Sequence, residues 1–299
     1  VNPAIIRVAF ILGIVIVAVV LAVTRKAWAP AVGHAFPSIW RVAKITVAEA
    51  RRRRVIQAVV VLVVLILFSM TFFSYLSPEE QARMLISGGL AAITVFGILL
   101  SIFIAAFLIP HDIESRTVYA ILAKPVRRFE YVLGKYLGAL IILAAIVSVM
   151  TAVLVLVLVI QDRLVQDLPD SVFRPNLAGV VFAAVMSFFA LAVLTALIIL
   201  ISTIASTTMT VISAFIIWAV GSLQSTIHDL AEHASGASQL FLLVLYYLVP
   251  RLENFDFRHE VSNYMPVSII GGLNAVVVGI LYTVVVLVLA SIFFNDRQV

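Results

Sequence analysis

Apolar residues along this chain gather into long runs broken by compact charged segments, with neither the two-residue alternation of strands nor the single apolar stripe of soluble helices. A hydrocarbon core of roughly 30 Å needs about 20 apolar residues at 1.5 Å per residue. On that measure the sequence predicts seven spans: Ala4–Val23, Val55–Leu76, Leu85–Ile109, Tyr136–Ile160, Leu177–Ile204, Met209–Gln224 and Val267–Phe294. From Pro175 to Ile227 there is no charged side chain. That stretch is too long for one helix, and the cluster Ser202, Thr203, Ser206, Thr207 and Thr208 marks a turn between two. The shorter run Leu240–Val249 cannot cross and reads as an interfacial or re-entrant helix.

Composition agrees with an all-α polytopic membrane protein. Hydrophobic residues make up 64% of the chain and charged residues 12%, against roughly half and a quarter in soluble domains. With no cysteine, a disulfide framework, a thiolate metal site and a cysteine nucleophile are all excluded. The formal net charge of +5 would suggest nucleic acid in a soluble protein, but its distribution argues against that partner. Arg25, Lys26, Arg41, Lys44 and Arg51 to Arg54 lie between the first two spans, and Arg116, Lys124, Arg127, Arg128 and Lys135 lie between the third and fourth. The alternate loops lean acidic, with Glu79, Glu80, Asp162, Asp167, Asp170, Asp229, Glu232, Glu253, Asp256 and Glu260. The positive-inside rule then predicts an inner-membrane topology with the N-terminus outside and the C-terminus in the cytoplasm.

Two segments outside the spans carry amphipathic patterns. On a helical wheel from Ile39 to Arg52, one arc holds Ile39, Trp40, Val42, Ala43, Val47 and Ala50, and the other holds Arg41, Lys44, Arg51 and Arg52. Ile45 falls on the polar side. Such a helix suits the membrane interface, its cations toward lipid phosphates. The second is the charged island from Ile109 to Lys135. There Asp112, Glu114, Arg116, Lys124, Arg127, Arg128 and Glu130 surround the apolar Val118, Tyr119, Ile121 and Leu122, a makeup suited to a small docking helix.

The spans themselves carry little chemistry. None of the last six has an ionisable group at its middle, which disfavours an ion-coupled carrier. Ser101, Ser148, Thr151, Ser187, Thr195, Ser213 and Asn274 are polar groups that bond to their own helix or a neighbour. Gly134 with Gly138, and Gly88 with Gly89, permit close helix contact. No phosphate-binding loop is present, because Gly134 and Lys135 are followed by Tyr136 and lack the upstream glycine. His228 with Glu232, or Asp229 with His233, share a helix face at i, i+4, but a solvated polar patch accounts for them better than a metal site.

The island resembles the inner loop of type-2 ATP-binding cassette (ABC) export permeases. Asp112 and Glu114, Thr117, Leu122, Pro125, Arg128, and Gly134 with Lys135 follow that family's order of acidic pair, Thr, Leu, Pro, basic residue and Gly-Lys. Arg116 stands where many members have glycine. The resemblance implies a six-span permease domain over residues 37–299, with an elbow helix at 38–54, a coupling loop at 110–135 and an outer helical region at 225–265. Residues 1–30 form an extra span, which could also be read as a signal peptide.

The resemblance further implies a non-enzymatic subunit paired with a second permease copy or homologue and surrounded by lipid. A separate ABC ATPase subunit, the holder of ATP and Mg²⁺, docks on Asp112, Glu114, Arg116, Thr117 and Leu122, with Pro125 and Arg128 ending the docking helix. Trp40, Arg41, Lys44, Arg51 and Arg52 mark the elbow, and the first span offers a place for an additional subunit. The outer segment YYLVPRLENFDF, Tyr246–Phe257, is similar to that of permeases grouped with copper-enzyme maturation. Two alternatives stay open: an ATP-driven machine that transmits force to an outer partner without moving solute, and a structural membrane subunit that meets no ATPase.

Overall fold

The computed structural model describes residues 32–52, 54–69, 78–114, 127–165, 176–234 and 236–296. The first predicted span and the middle of the charged island lie outside the described residues. Among the described residues, all regular structure is helical. The long elements are α1 (Val32–Arg52), α2 (Arg54–Ser69), α3 (Pro78–Glu114), α4 (Arg128–Val165), α5 (Leu177–Ile204) and α6 (Thr207–Ser222). After them come α7 (Gln224–His233), α8 (Ala237–Leu248), a 3-10 turn (Leu252–Phe255), α9 (Arg258–Ser262) and α10 (Ile269–Asp296).

Four of the described helices contain stretches long and apolar enough to cross a membrane: Glu80–Ala106, Arg128–Asp162, Leu177–Ile204 and Ile269–Phe294. The pair α6 and α7 makes a fifth if counted as one broken span. Helix α2 begins one residue before the predicted Val55–Leu76 span and covers it as far as Ser69.

Helix α5 is the axis of the molecule. It packs on α3, α4, α6 and α10, and from Leu191 to Ile199 every residue is buried. Lipid tails are as apolar as these side chains, so the bundle is held by close packing and interhelical hydrogen bonds rather than by escape from water. Hydroxyl pairs supply such bonds between α3 and α5. Ser101 Oγ lies 2.8 Å from Thr195 Oγ1, and Thr94 Oγ1 lies 3.3 Å from Ser187 Oγ.

The uncharged stretch divides at the hydroxyl cluster. Helix α5 ends at Ile204, Ala205 and Ser206 are extended, and α6 begins at Thr207. Ser202 and Thr203 donate to the carbonyls of Ile199 and Leu200, 2.8 and 2.6 Å. Bonds of that kind compete with the helical ladder and favour its termination. The predicted span Met209–Gln224 differs from the structure at its far end, where the axis turns by 72° between α6 and α7. Helix α8 occupies the short run read as interfacial or re-entrant.

A candidate coupling site at the foot of the fourth helix

The island emerges where α3 ends at Glu114 and returns at Arg127 to begin α4. Asp112 and Glu114 belong to the last turn of α3, whereas Arg116, Thr117, Leu122 and Pro125 lie outside the described residues. Glu130 starts α4 by accepting a hydrogen bond from the Arg127 backbone N–H at 3.2 Å. This is the return half of a capping box, and it satisfies a donor that the helix leaves free.

Two neighbouring elements are tied to this foot. Arg128 Nη1 donates to the Phe294 carbonyl at 3.2 Å, within the last turn of α10, where carbonyls lack helical partners and a cation is favoured. The rings of Tyr131 and Phe294, both fully buried, stack with centroids 5.4 Å apart. On the other flank, Lys135 is only 1% exposed and its Nζ lies 3.7 Å from Glu49 Oε2 of α1. The same ammonium sits 5.7 Å from the Tyr131 ring centroid. A charge so deeply buried is retained only with a partner.

The approach of α1 to α4 depends on Gly134 and Gly138. A Cβ on Gly134 would fall 2.6 Å from Val42 Cβ and 2.9 Å from the Ile39 carbonyl oxygen; one on Gly138 would fall 2.6 Å from Thr46 Cβ and 3.0 Å from the Ala43 carbonyl oxygen. These glycines therefore let the two helices meet backbone to side chain, as their spacing predicted. Gly89 likewise faces Leu154 across the contact of α3 with α4.

On α1, Val42, Ala43 and Ala50 are buried, and Arg41 and Lys44 are exposed. Trp40, read on the apolar arc, is 44% exposed with Lys44 Nζ 5.7 Å from its ring, while Thr46 takes the buried place beside Gly138. The Thr46 hydroxyl is satisfied by the Val42 carbonyl at 3.1 Å, so its burial leaves no unmet donor. An indole at the edge of the bundle suits the water–lipid boundary. Arg51 and Arg52 close the helix.

A family model for the ABC-2 family transporter protein matches residues 40–299. The chain belongs to this family. Among curated proteins, no sequence match is found. The match begins within α1, so the later part of that helix and every later element of this ABC-2 permease fall inside it, and the first apolar run falls outside. Family membership makes the chain a permease subunit of an ABC transporter.

The opposite end of the ABC-2 permease is organised around the break after α6. Gln224, 1% exposed, donates through Nε2 to the carbonyls of Val249, 2.5 Å, and Tyr246, 3.3 Å. Glu253 Oε2 accepts from the Ser225 N–H at 3.1 Å, placing a carboxylate at the N-terminus of α7. Asp256 and Arg258 form a close bidentate ion pair. Burial pushes the Asp256 carboxyl up, but the hydrogen bonds and charge of Arg258 outweigh that effect and hold it below its usual range. Glu253, Asp256 and Arg258 border a cavity of about 140 Å³ that reaches Thr94, Ser187 and Trp218.

His228 does face Glu232, at 3.6 Å, but its ring also packs on Tyr246, centroids 5.0 Å apart. His233 Nδ1 lies 2.7 Å from the Asp229 carbonyl oxygen. Among the described residues no group of three His, Asp or Glu side chains is placed to hold a metal. The sequence reading placed Lys135 in the Gly-Lys ending of the island but missed its pairing with Glu49. The available signal was a lone carboxylate on an otherwise basic helix.

Proposed function

We propose that this chain is the permease half of an exporter, driven by a separate ATPase subunit that seats the 110–135 segment in a groove on its surface. The observation carrying this reading is the convergence of α1, α4 and α10 at the point where that segment re-enters the bundle. A push on the foot of α4 reaches α1 through Lys135, Glu49 and the glycine contact. It reaches α10 through Arg128, Tyr131 and Phe294.

Asp112, Glu114, Arg116, Thr117 and Leu122 form the ATPase-facing surface in this scheme, and ATP and Mg²⁺ reside in the partner. Two permease copies, each with an ATPase, complete the assembly. ATP binding draws the ATPases together, tilts the helices and opens a path between the permeases. The basic end faces the cytoplasm, as the loop charges require. The clasp around Gln224 and Glu253 then lies outside and serves as the outer gate. The run Tyr246–Phe257 supports a place near the copper-enzyme-maturation permeases within the family.

The test is co-purification from the native membrane under mild detergent, comparing wild type with the Glu114→Arg, Leu122→Asp double variant. An ATP-binding subunit should accompany the wild type and be lost from the variant. If no ATPase accompanies the wild type under conditions that keep other complexes whole, the driven-exporter reading fails.

A further inference from the structure

A cavity of about 330 Å³ lies between α4, α5 and α10. Its walls are hydrocarbon almost throughout, and its back is formed by Phe188, Phe189, Ala192 and Val193 of α5. Of its two hydroxyls, that of Tyr136 already donates to the Ala192 carbonyl at 3.3 Å, and Thr283 is buried. A stable internal water needs two to four polar partners. Such walls do not hold water, and a void would forfeit the dispersion contacts of every side chain around it.

The cavity opens sideways rather than toward either end. Its rim is Leu137, Ile280 and Val284, which are 36%, 51% and 39% exposed. All three belong to helices long and apolar enough to cross a membrane, so the medium at the rim is lipid hydrocarbon. Along α10 the lining runs from Val276 to Leu287, a rise of about 16 Å, or about half of a hydrocarbon core of roughly 30 Å. That shape suits an extended chain rather than a compact solute. At one end Ile39 contributes from α1, the helix that presents Arg41 and Lys44 to solvent. Cations at that level suit the phosphate of a lipid whose tail enters the cavity.

We infer that this cavity is a binding site for one acyl chain of a membrane phospholipid. The lipid wedges between α4 and α10, the two helices tied together by Arg128 and Tyr131, and fills the space through which they would move past each other. This inference rests on the membrane-spanning reading and not on the direction of transport or on ATPase docking.

The test uses the full chain in nanodiscs of phosphatidylethanolamine and phosphatidylglycerol carrying a diazirine-tagged acyl chain, with adducts mapped by mass spectrometry after illumination. A parallel sample carries a diazirine-tagged free fatty acid instead. Phospholipid adducts are expected on Phe189, Ala192 or Val193, which lie behind the rim. They should be lost in Ile280→Trp and in Leu137→Trp, both changes at exposed positions, while labelling of the exposed Leu156 persists. The inference is overturned if back-wall adducts do not exceed those on the buried Ile198, or if both tryptophan variants leave them unchanged. Back-wall labelling by the free fatty acid alone would make the site one for a single-chain amphiphile and would also overturn it.

Discussion

Lys135 shows how much one residue settles at the foot of α4. Its ammonium is removed from solvent, and the Glu49 carboxylate and Tyr131 ring face it within the same packed corner. Breaking the pair from one side leaves a poorly compensated charge, at a cost on the order of 1–3 kcal/mol. Replacing both partners with neutral groups removes the demand itself. Glu49→Gln and Lys135→Met are therefore each expected to lower the thermal midpoint of the purified protein. The double variant should lose clearly less than the sum of the two, and a double-mutant cycle on unfolding in detergent measures the difference. Strict additivity would mean the two side chains do not act as a pair. The Gly-Lys ending of the island was legible in the sequence, but the partner was not. Glu49 lies on another helix far back in the chain, and the helical wheel of α1 says nothing about which neighbour its carboxylate meets.

Between elements, the contact of α1 with α4 is set by backbone proximity at Gly134 and Gly138. A leucine at position 138 cannot be absorbed by a rotamer change alone, because its Cβ would already meet both Thr46 and the Ala43 carbonyl. Overpacking of this kind typically costs about 1–3 kcal/mol, and here the relief available is movement of α1 away from α4. Gly138→Leu is expected to leave the ATPase subunit bound, since the docking loop is untouched, while lowering the extent to which nucleotide hydrolysis responds to the permease. Measuring ATPase activity of the co-purified complex beside partner recovery separates these effects. Unchanged activity would show that α1 does not relay the movement.

The helices themselves were largely legible from run length. The turn at Ala205 and Ser206 was announced by clustered hydroxyls, and α8 by an apolar run too short to cross. The break after α6 was not, because the uncharged run continues through Gly221, Ser222 and Leu223 as far as Ile227. The turn there is held from a distance, by Gln224 reaching Tyr246 and Val249 and by Glu253 reaching Ser225. Local composition carries no mark of such a clasp.

For the whole molecule, the arrangement of charge makes a claim about the membrane that packing cannot make. The foot of α4 carries Arg127, Arg128 and Lys135, and the far end carries Asp229, Glu232, Glu253 and Asp256 against Arg251 and Arg258. Cationic loops resist translocation far more than acidic ones do, which supports the proposed orientation with the basic end in the cytoplasm. The absence of cysteine from the sequence makes this testable with single replacements on an unaltered background. Ser238→Cys sits at the exposed start of α8, and Gln298→Cys comes two residues after Asp296, the last residue of α10, in the sequence. A membrane-impermeant maleimide should label the cysteine at position 238 in intact cells. It should reach the one at position 298 only after the membrane is permeabilised. The reverse pattern would put the island, and with it the docking surface for a cytoplasmic ATPase, on the wrong side of the membrane. The coupling role of Glu49, Arg128 and Lys135 would then have no driving partner. Labelling of both positions in intact cells would mean an even number of crossings between Ser238 and Gln298, in conflict with α10 as a single span.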